Sequence, residues 1–365
     1  MRSKKPWIVL LTISICYWLA VDSSYAVNSK VKLNVLPITT IESVKINDTI
    51  SIDIYTPPKE SSSKKRFPVM YVMDGQYYFY NAIGYQRSLR NNVNVSPEFI
   101  VVGININEST ARWNLLDNDK ASMIALLENK VIPLIDTHYP SNKTRMYFGW
   151  QAGAAFGLDL FNTRPNLVEG YFFASDPMFD MQRIKNTAAT LNSREAFNNY
   201  FYMTLGATEA HATKQHQELT KVFSKFQHKG VKWKYNLSES HNHQTTPLDS
   251  FTSGLQWYFS DFPDMTFHSV ADVNDFGGVS AVKAYFKNRG ILYNLPTKVG
   301  KQARFSMFRH AVQEDDWHTF QKFEQAIGTY ELTDDASPYW FNFFSKFYVK
   351  NDSDRAESVF KKAIK

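Results

Sequence analysis

The chain has 365 residues, 44% of them hydrophobic and 21% charged, the balance of an ordinary globular protein large enough for one sizeable domain and a smaller one. Its formal charge is +6; Arg2, Lys4 and Lys5 against Asp22 account for +2, leaving a mild +4 with no basic run longer than the SSSKKR stretch at 61–66, so nucleic-acid binding is not indicated. The single cysteine, Cys16, removes a cysteine nucleophile, thiolate metal ligation and disulfides from everything after it.

Residues 1–26 read as a secretory signal. Arg2, Lys4 and Lys5 give a positive start, Trp7 to Ala20 is apolar, and Ser24-Tyr25-Ala26 supplies the small residues of a cleavage site after Ala26. The apolar run is shorter than the roughly 20 residues of a bilayer-spanning helix. Ile15 ahead of Cys16 does not suit a lipoprotein site. The expectation is a periplasmic or secreted protein with no stable membrane anchor after cleavage.

Val44 to Pro58 alternates polar and apolar residues and ends in a proline pair, which predicts a strand at a sheet edge. Near-continuous apolar runs follow at Phe67–Met73, Phe99–Ile106, Met146–Gly149, Gly170–Ala174 and Phe201–Gly206, then a final run at Lys232–Leu237. Such runs belong to strands buried on both faces, as in a parallel sheet. Helical spacing fills the gaps: Ala121–Tyr139, with Pro133 opening its second half, Ala152–Asn162 and Asp249–Asp261. Alternating strands and helices predict a doubly wound α/β sheet. After Pro263 strand runs disappear and helical patterns continue to the end. There Trp340, Phe343, Phe347, Ala356, Phe360 and Ala363 fall near the packing offsets of a tetratricopeptide (TPR-like) helix pair. The chain therefore divides into 1–26, 27–262 and 263–365.

One stretch carries the chemistry, FGWQAGAAFGLDLF at 148–161. A strand, a Gly-x-x-x-Gly turn and a helix are the setting of a nucleophile elbow, G-x-S-x-G, but the central residue is Gln151.

In order along residues 44–259, the chain resembles the putative-esterase family of α/β hydrolases, the group of esterase D-like, enterochelin esterase-like and antigen 85-like proteins. The residues that carry the likeness are ISIDIYTPP, FPVMYVMDGQYYF, SPEFIVVGIN, LLENKVIPLIDTHYPSNKTRMYFG and HNHQTTPLDSFTSGLQWYF. The resemblance implies an α/β-hydrolase fold, carboxylic ester hydrolysis without cofactor or metal, and a triad mapping onto Gln151, Glu209 and His243. It implies an oxyanion hole from the backbone N–H groups of Gln76 and Ala152. Two departures stand out. Trp150 replaces the histidine or small residue common before the serine, and Gln151 replaces the serine.

His243 is preferred over its neighbour His241 by the register of Pro247, Ser250 and Gly254-Leu255. Glu209, just past a strand end, is either the acid or a carboxylate favoured by a helix N-terminus. Ser175, also at a strand end, is a weak substitute nucleophile. A carboxamide has no readily ionisable proton, so the covalent acyl-enzyme route is expected to be closed, although backbone oxyanion donors do not depend on side-chain identity. Gln151 could fill that hole with its own carbonyl oxygen. Tyr77, Tyr78, Phe79 and Tyr80 either line a pocket or pack a helix start. Three functions follow: an impaired esterase-fold protein that binds a small ester or acyl ligand, an active ester hydrolase or acyltransferase with an unusual nucleophile, and acid–base chemistry by His243 without a covalent intermediate. A protein partner on the C-terminal helices remains open, with capping of the domain preferred.

Overall fold

The computed structural model describes residues 41–58, 65–90, 96–176, 179–330 and 337–360. The predicted signal segment lies outside them, and among the described residues no helix is long and apolar enough to cross a membrane. The described residues all fall within one compact unit.

Its centre is an eight-stranded sheet in the order β1-β2-β4-β3-β5-β6-β7-β8. The strands are β1 (Ile41–Lys45), β2 (Ile50–Tyr55), β3 (Phe67–Met73), β4 (Ile100–Ile106), β5 (Ser141–Trp150), β6 (Gly170–Ala174), β7 (Tyr200–Gly206) and β8 (Lys232–Ser238). β3 to β8 run parallel, while β2 lies antiparallel to both β4 and β1. The fold is that of an α/β hydrolase.

The single strand expected over Val44–Pro58 is a hairpin. Asn47 breaks it, because its Oδ1 accepts from the N–H groups of Thr49 (2.9 Å) and Ile50 (2.7 Å) and closes a tight turn. The edge strand is therefore β1, and β2 is an inner strand.

Strand periodicity sorts the apolar side chains onto two faces. Val69, Tyr71, Tyr147, Tyr171, Phe173, Phe201 and Met203 enter one core, beneath helices Ala152–Thr163, Met181–Asn192 and Thr213–Phe226. Met70, Val72, Met146, Phe148, Phe172 and Tyr202 enter the other, against helix Gly75–Arg90 and the helical run that begins at Thr246. The helix predicted over Ala121–Tyr139 runs as Lys120–Leu126, Leu127–Val131 and Ile132–His138. Its middle segment, ahead of Pro133 with its missing donor, is wound as π-helix.

Past Pro263 the chain is helical, as expected, and builds a third apolar cluster around Phe286, Met307, Phe308, Phe320, Phe344 and Tyr348. Trp340, Phe343, Phe347 and Ala356 also join it, whereas the side chain of Phe360 and all of Ala363 lie outside the described residues. The junction is fixed by polar contacts: Tyr285 Oη donates to the carbonyls of Asp261 (2.9 Å) and Pro263 (3.0 Å), and Arg289 donates to the Phe262 carbonyl.

β5 enters its helix through a turn too tight for a side chain at its base. A Cβ on Gly149 would lie 2.3 Å from both the carbonyl carbon and oxygen of Gly153. A Cβ on Gly84, inside helix Gly75–Arg90, would meet nothing within 4 Å. Gly149→Ala is therefore expected to cost at least about 2 kcal/mol in urea unfolding, while Gly84→Ala gains up to about 1 kcal/mol from helix propensity.

Candidate active site

Three strands adjacent at the middle of the sheet, β3, β5 and β6, each run out into a non-glycine residue with positive φ. These are Asp74 (57°), Gln151 (55°, ψ −121°) and Ser175 (46°). Such conformations cost on the order of 1–3 kcal/mol each and survive only where surrounding contacts fix them.

The contacts at Gln151 are all from the backbone. Its N–H donates to the Ala174 carbonyl (3.0 Å), and its carbonyl accepts from Ala154 (2.9 Å) and Ala155 (3.2 Å). The buried Tyr147 hydroxyl donates to the Gly153 carbonyl at 2.6 Å. Among the described residues the Gln151 carboxamide makes no hydrogen bond, so it does not plug the expected oxyanion hole. Gln76 is the second residue of the helix that follows β3 and Ala152 the first of the helix that follows the neighbouring β5, where first-turn N–H groups have no intrahelical acceptor.

Glu209 sits in the short 3₁₀ segment Ala207–Ala212 after β7 and is only 4% exposed. It lies in the first turn of that segment, as the helix-start alternative has it, but is buried and bonded to side chains rather than solvated. Its Oε1 meets His243 Nδ1 at 2.6 Å, and its Oε2 accepts from Ser175 Oγ (2.5 Å) and the Gly206 N–H (2.9 Å). Burial alone would raise its pKa. The hydrogen bonds from Ser175, His243 and Gly206 outweigh burial and hold the carboxyl below its ordinary value. His243 lies on the loop after β8 with its side chain 24% exposed. His241 makes no such contact: its Nδ1 is buried without a partner.

Ser175 is fully buried, bonded to Glu209 and to Thr246 Oγ1 (2.5 Å). That position rules it out as an accessible nucleophile and makes it a brace for the acid. Thr246 and the surroundings of Trp150 are parts that spacing alone did not disclose. The Trp150 indole N–H donates to the His243 carbonyl at 2.7 Å, and its ring lies 4.8 Å from the imidazole. Arg112 forms a bidentate pair with the buried Asp74, at 2.6 and 2.8 Å. Of the four aromatics after Gly75, Phe79 is core, Tyr78 packs edge-on to Trp150 at 6.0 Å, and Tyr77 and Tyr80 are exposed. Among the described residues no group of three His, Cys, Asp or Glu side chains is placed to hold a metal ion.

The arrangement brings an oriented base–acid pair and two helix-start amides to the end of the sheet where the elbow lies. At the apex of the elbow it presents a carboxamide.

Residues 43–259 match a family model described as "Putative esterase". No curated protein sequence matches the chain. Among solved structures it is similar to an IroE-like serine hydrolase from Shewanella oneidensis (14% identity, 78% of this chain and 98% of that one, TM-score 0.56). It is similar to an uncharacterised protein from Capnocytophaga ochracea (13% identity, 88% and 92%, TM-score 0.60). It is also similar to the siderophore hydrolase EstB from Aspergillus nidulans (18% identity, 63% and 97%, TM-score 0.50). At these identities the likeness is one of fold. The Capnocytophaga match covers more of the chain than residues 1–262 alone can supply, so it extends into the C-terminal helices.

The brace on Glu209 has a measurable sign. Because its carboxyl is depressed in the folded protein, its ionised form favours folding above the unfolded value. That contribution fades as pH falls through the folded value. Ser175→Ala removes one donor and lifts the folded value. We expect a loss of about 2 kcal/mol near pH 7, with the gap to wild type narrowing as Glu209 protonates in acid. Urea midpoints measured from pH 3 to 7 test it; a gap constant over that range contradicts the assignment.

Proposed function

The chain belongs to the putative-esterase family, and from that membership we propose that it is an exported esterase-fold protein whose covalent route is closed and whose retained site binds an ester- or acyl-type ligand. The observation that carries the proposal is Gln151 at the strained apex of the elbow. A primary carboxamide offers neither a removable proton of suitable pKa nor a competent nucleophilic oxygen. Loss of the triad serine in a well-studied protease costs about a millionfold in rate. The ligand class follows from the chemistry a helix-start amide pair can recognise, a carbonyl oxygen, and accords with the hydrolase names of the structural neighbours. Export rests on the signal pattern of residues 1–26. The C-terminal helices act as a cap, tied at 261–263 and closed around their own apolar cluster.

A second reading is favoured by one specific observation, the intact His243–Glu209 pair at 2.6 Å. An imidazole so held can act as general base on water directly. In that mechanism water attacks the bound acyl carbon while His243 takes its proton, the amides of Gln76 and Ala152 stabilise the oxyanion, and its collapse breaks the ester C–O bond as His243 returns the proton to the leaving alkoxide. No acyl-enzyme forms, and Gln151 merely borders the site.

Hydrolysis of p-nitrophenyl acetate and butyrate separates the two. We expect wild-type turnover near background, Gln151→Ser to raise it at least about a hundredfold, and His243→Ala to abolish that gain. Wild-type turnover well above background that disappears in His243→Ala would overturn the impaired reading in favour of direct water activation.

A further inference from the structure

We infer that Trp150 is the positioning residue that holds His243 in place where a serine hydroxyl is lacking. In a complete triad the imidazole is held from two sides, by the acid at one ring nitrogen and by the serine at the other. Here the acid side is complete, with Glu209 at 2.6 Å from Nδ1, but position 151 offers no hydroxyl to Nε2. Trp150 supplies two other restraints. Its indole N–H fixes the backbone carbonyl of His243 (2.7 Å), and its ring covers the imidazole at 4.8 Å with a 50° tilt.

Trp150 is itself immobilised. It ends β5, paired through the sheet with Ala174. Tyr78 packs edge-on to it, and the Arg112 guanidinium lies 5.9 Å over its ring while touching its carbonyl at 3.4 Å. Arg112 is locked in turn by both oxygens of the fully buried Asp74. A path of contacts thus leads from Asp74, just past β3, and Arg112, after β4, through an aromatic ring at the end of β5, to His243 on the loop after β8. Glu209 stands on the Nδ1 side of the imidazole and Arg112 beyond Trp150, and the Ser175 hydroxyl joins Glu209 to Thr246. Within its own loop, Thr246 Oγ1 also donates to the His243 carbonyl, at 3.3 Å.

The inference rests on reading His243 as the base of the proposed site, so its test does not depend on hydrolysis. The full chain is labelled with isotopic histidine, and the His243 ring signals are identified by their loss in His243→Ala. We expect these signals to be displaced upfield by the indole ring in the wild type. In Trp150→Leu the displacement disappears and the lines broaden. Trp150→Phe keeps a ring but loses the N–H, so it retains part of the displacement and still broadens. Thermal melts of both variants verify folding, and Trp150→Phe decides the matter if Trp150→Leu fails to fold. In the Gln151→Ser background, Trp150→Phe should lower kcat about tenfold or more with KM unchanged, as a misplaced base does. His243 signals and linewidths unchanged in folded Trp150→Phe would overturn the inference. An inactive Gln151→Ser with the expected spectral changes would instead count against the functional reading alone.

Discussion

A carboxylate that is 4% exposed must be met by donors or it costs more than the fold can bear. Glu209 meets this demand with donors drawn from three places: the hydroxyl after β6, the last amide of β7 and the imidazole after β8. One buried charge therefore sets the relative positions of three strand ends. Thr246, at the start of the following helix, reaches the same knot through Ser175. Much of the site's order is a consequence of satisfying this single group. Its asymmetry matters too. One oxygen is saturated by Ser175 and Gly206, which leaves the other directed at His243, so the imidazole is fixed in the tautomer that carries its proton on Nδ1 while the carboxyl stays ionised.

The elbow obeys a different constraint. Its shape comes from backbone approach at Gly149 and Gly153, from the Tyr147 hydroxyl and from the Ala174 carbonyl, none of which consults the side chain at 151. That independence explains how a glutamine can occupy a conformation usually defended by catalytic use. The strain persists because the flanking strands and the helix impose it. Geometry and nucleophile are separable here, and the pair His243–Glu209 keeps its arrangement with a carboxamide at the apex.

Much of this was legible in the residues themselves. Continuous apolar runs disclosed the parallel strands because burial on both faces leaves no polar alternation, and the helices after Pro263 showed in their spacing. The elbow showed in its glycines between a strand and a helix, whereas Glu209 and His243 were picked out by the family resemblance, with strand-end and loop positions only in accord with it. The hairpin at Asn47 was hidden inside an alternating run, since a four-residue connection closed by a side chain does not disturb the period by much. Ser175 was ambiguous because a serine at a strand end looks alike whether it attacks or braces; only its burial and its two partners decide. The roles of Trp150, Arg112 and Asp74 depend on contacts between residues 38 and 93 positions apart, which no local pattern encodes.

The side-chain indifference of the elbow has a practical corollary when set beside the chain's cysteine content. After Cys16 there is no sulfhydryl anywhere in the sequence. A thiol installed at 151 would be the only one in the folded region, held at the apex of a rigid turn. Selective alkylation at that one atom would place a spectroscopic label, or a tethered carbonyl compound, at a position defined by the backbone alone.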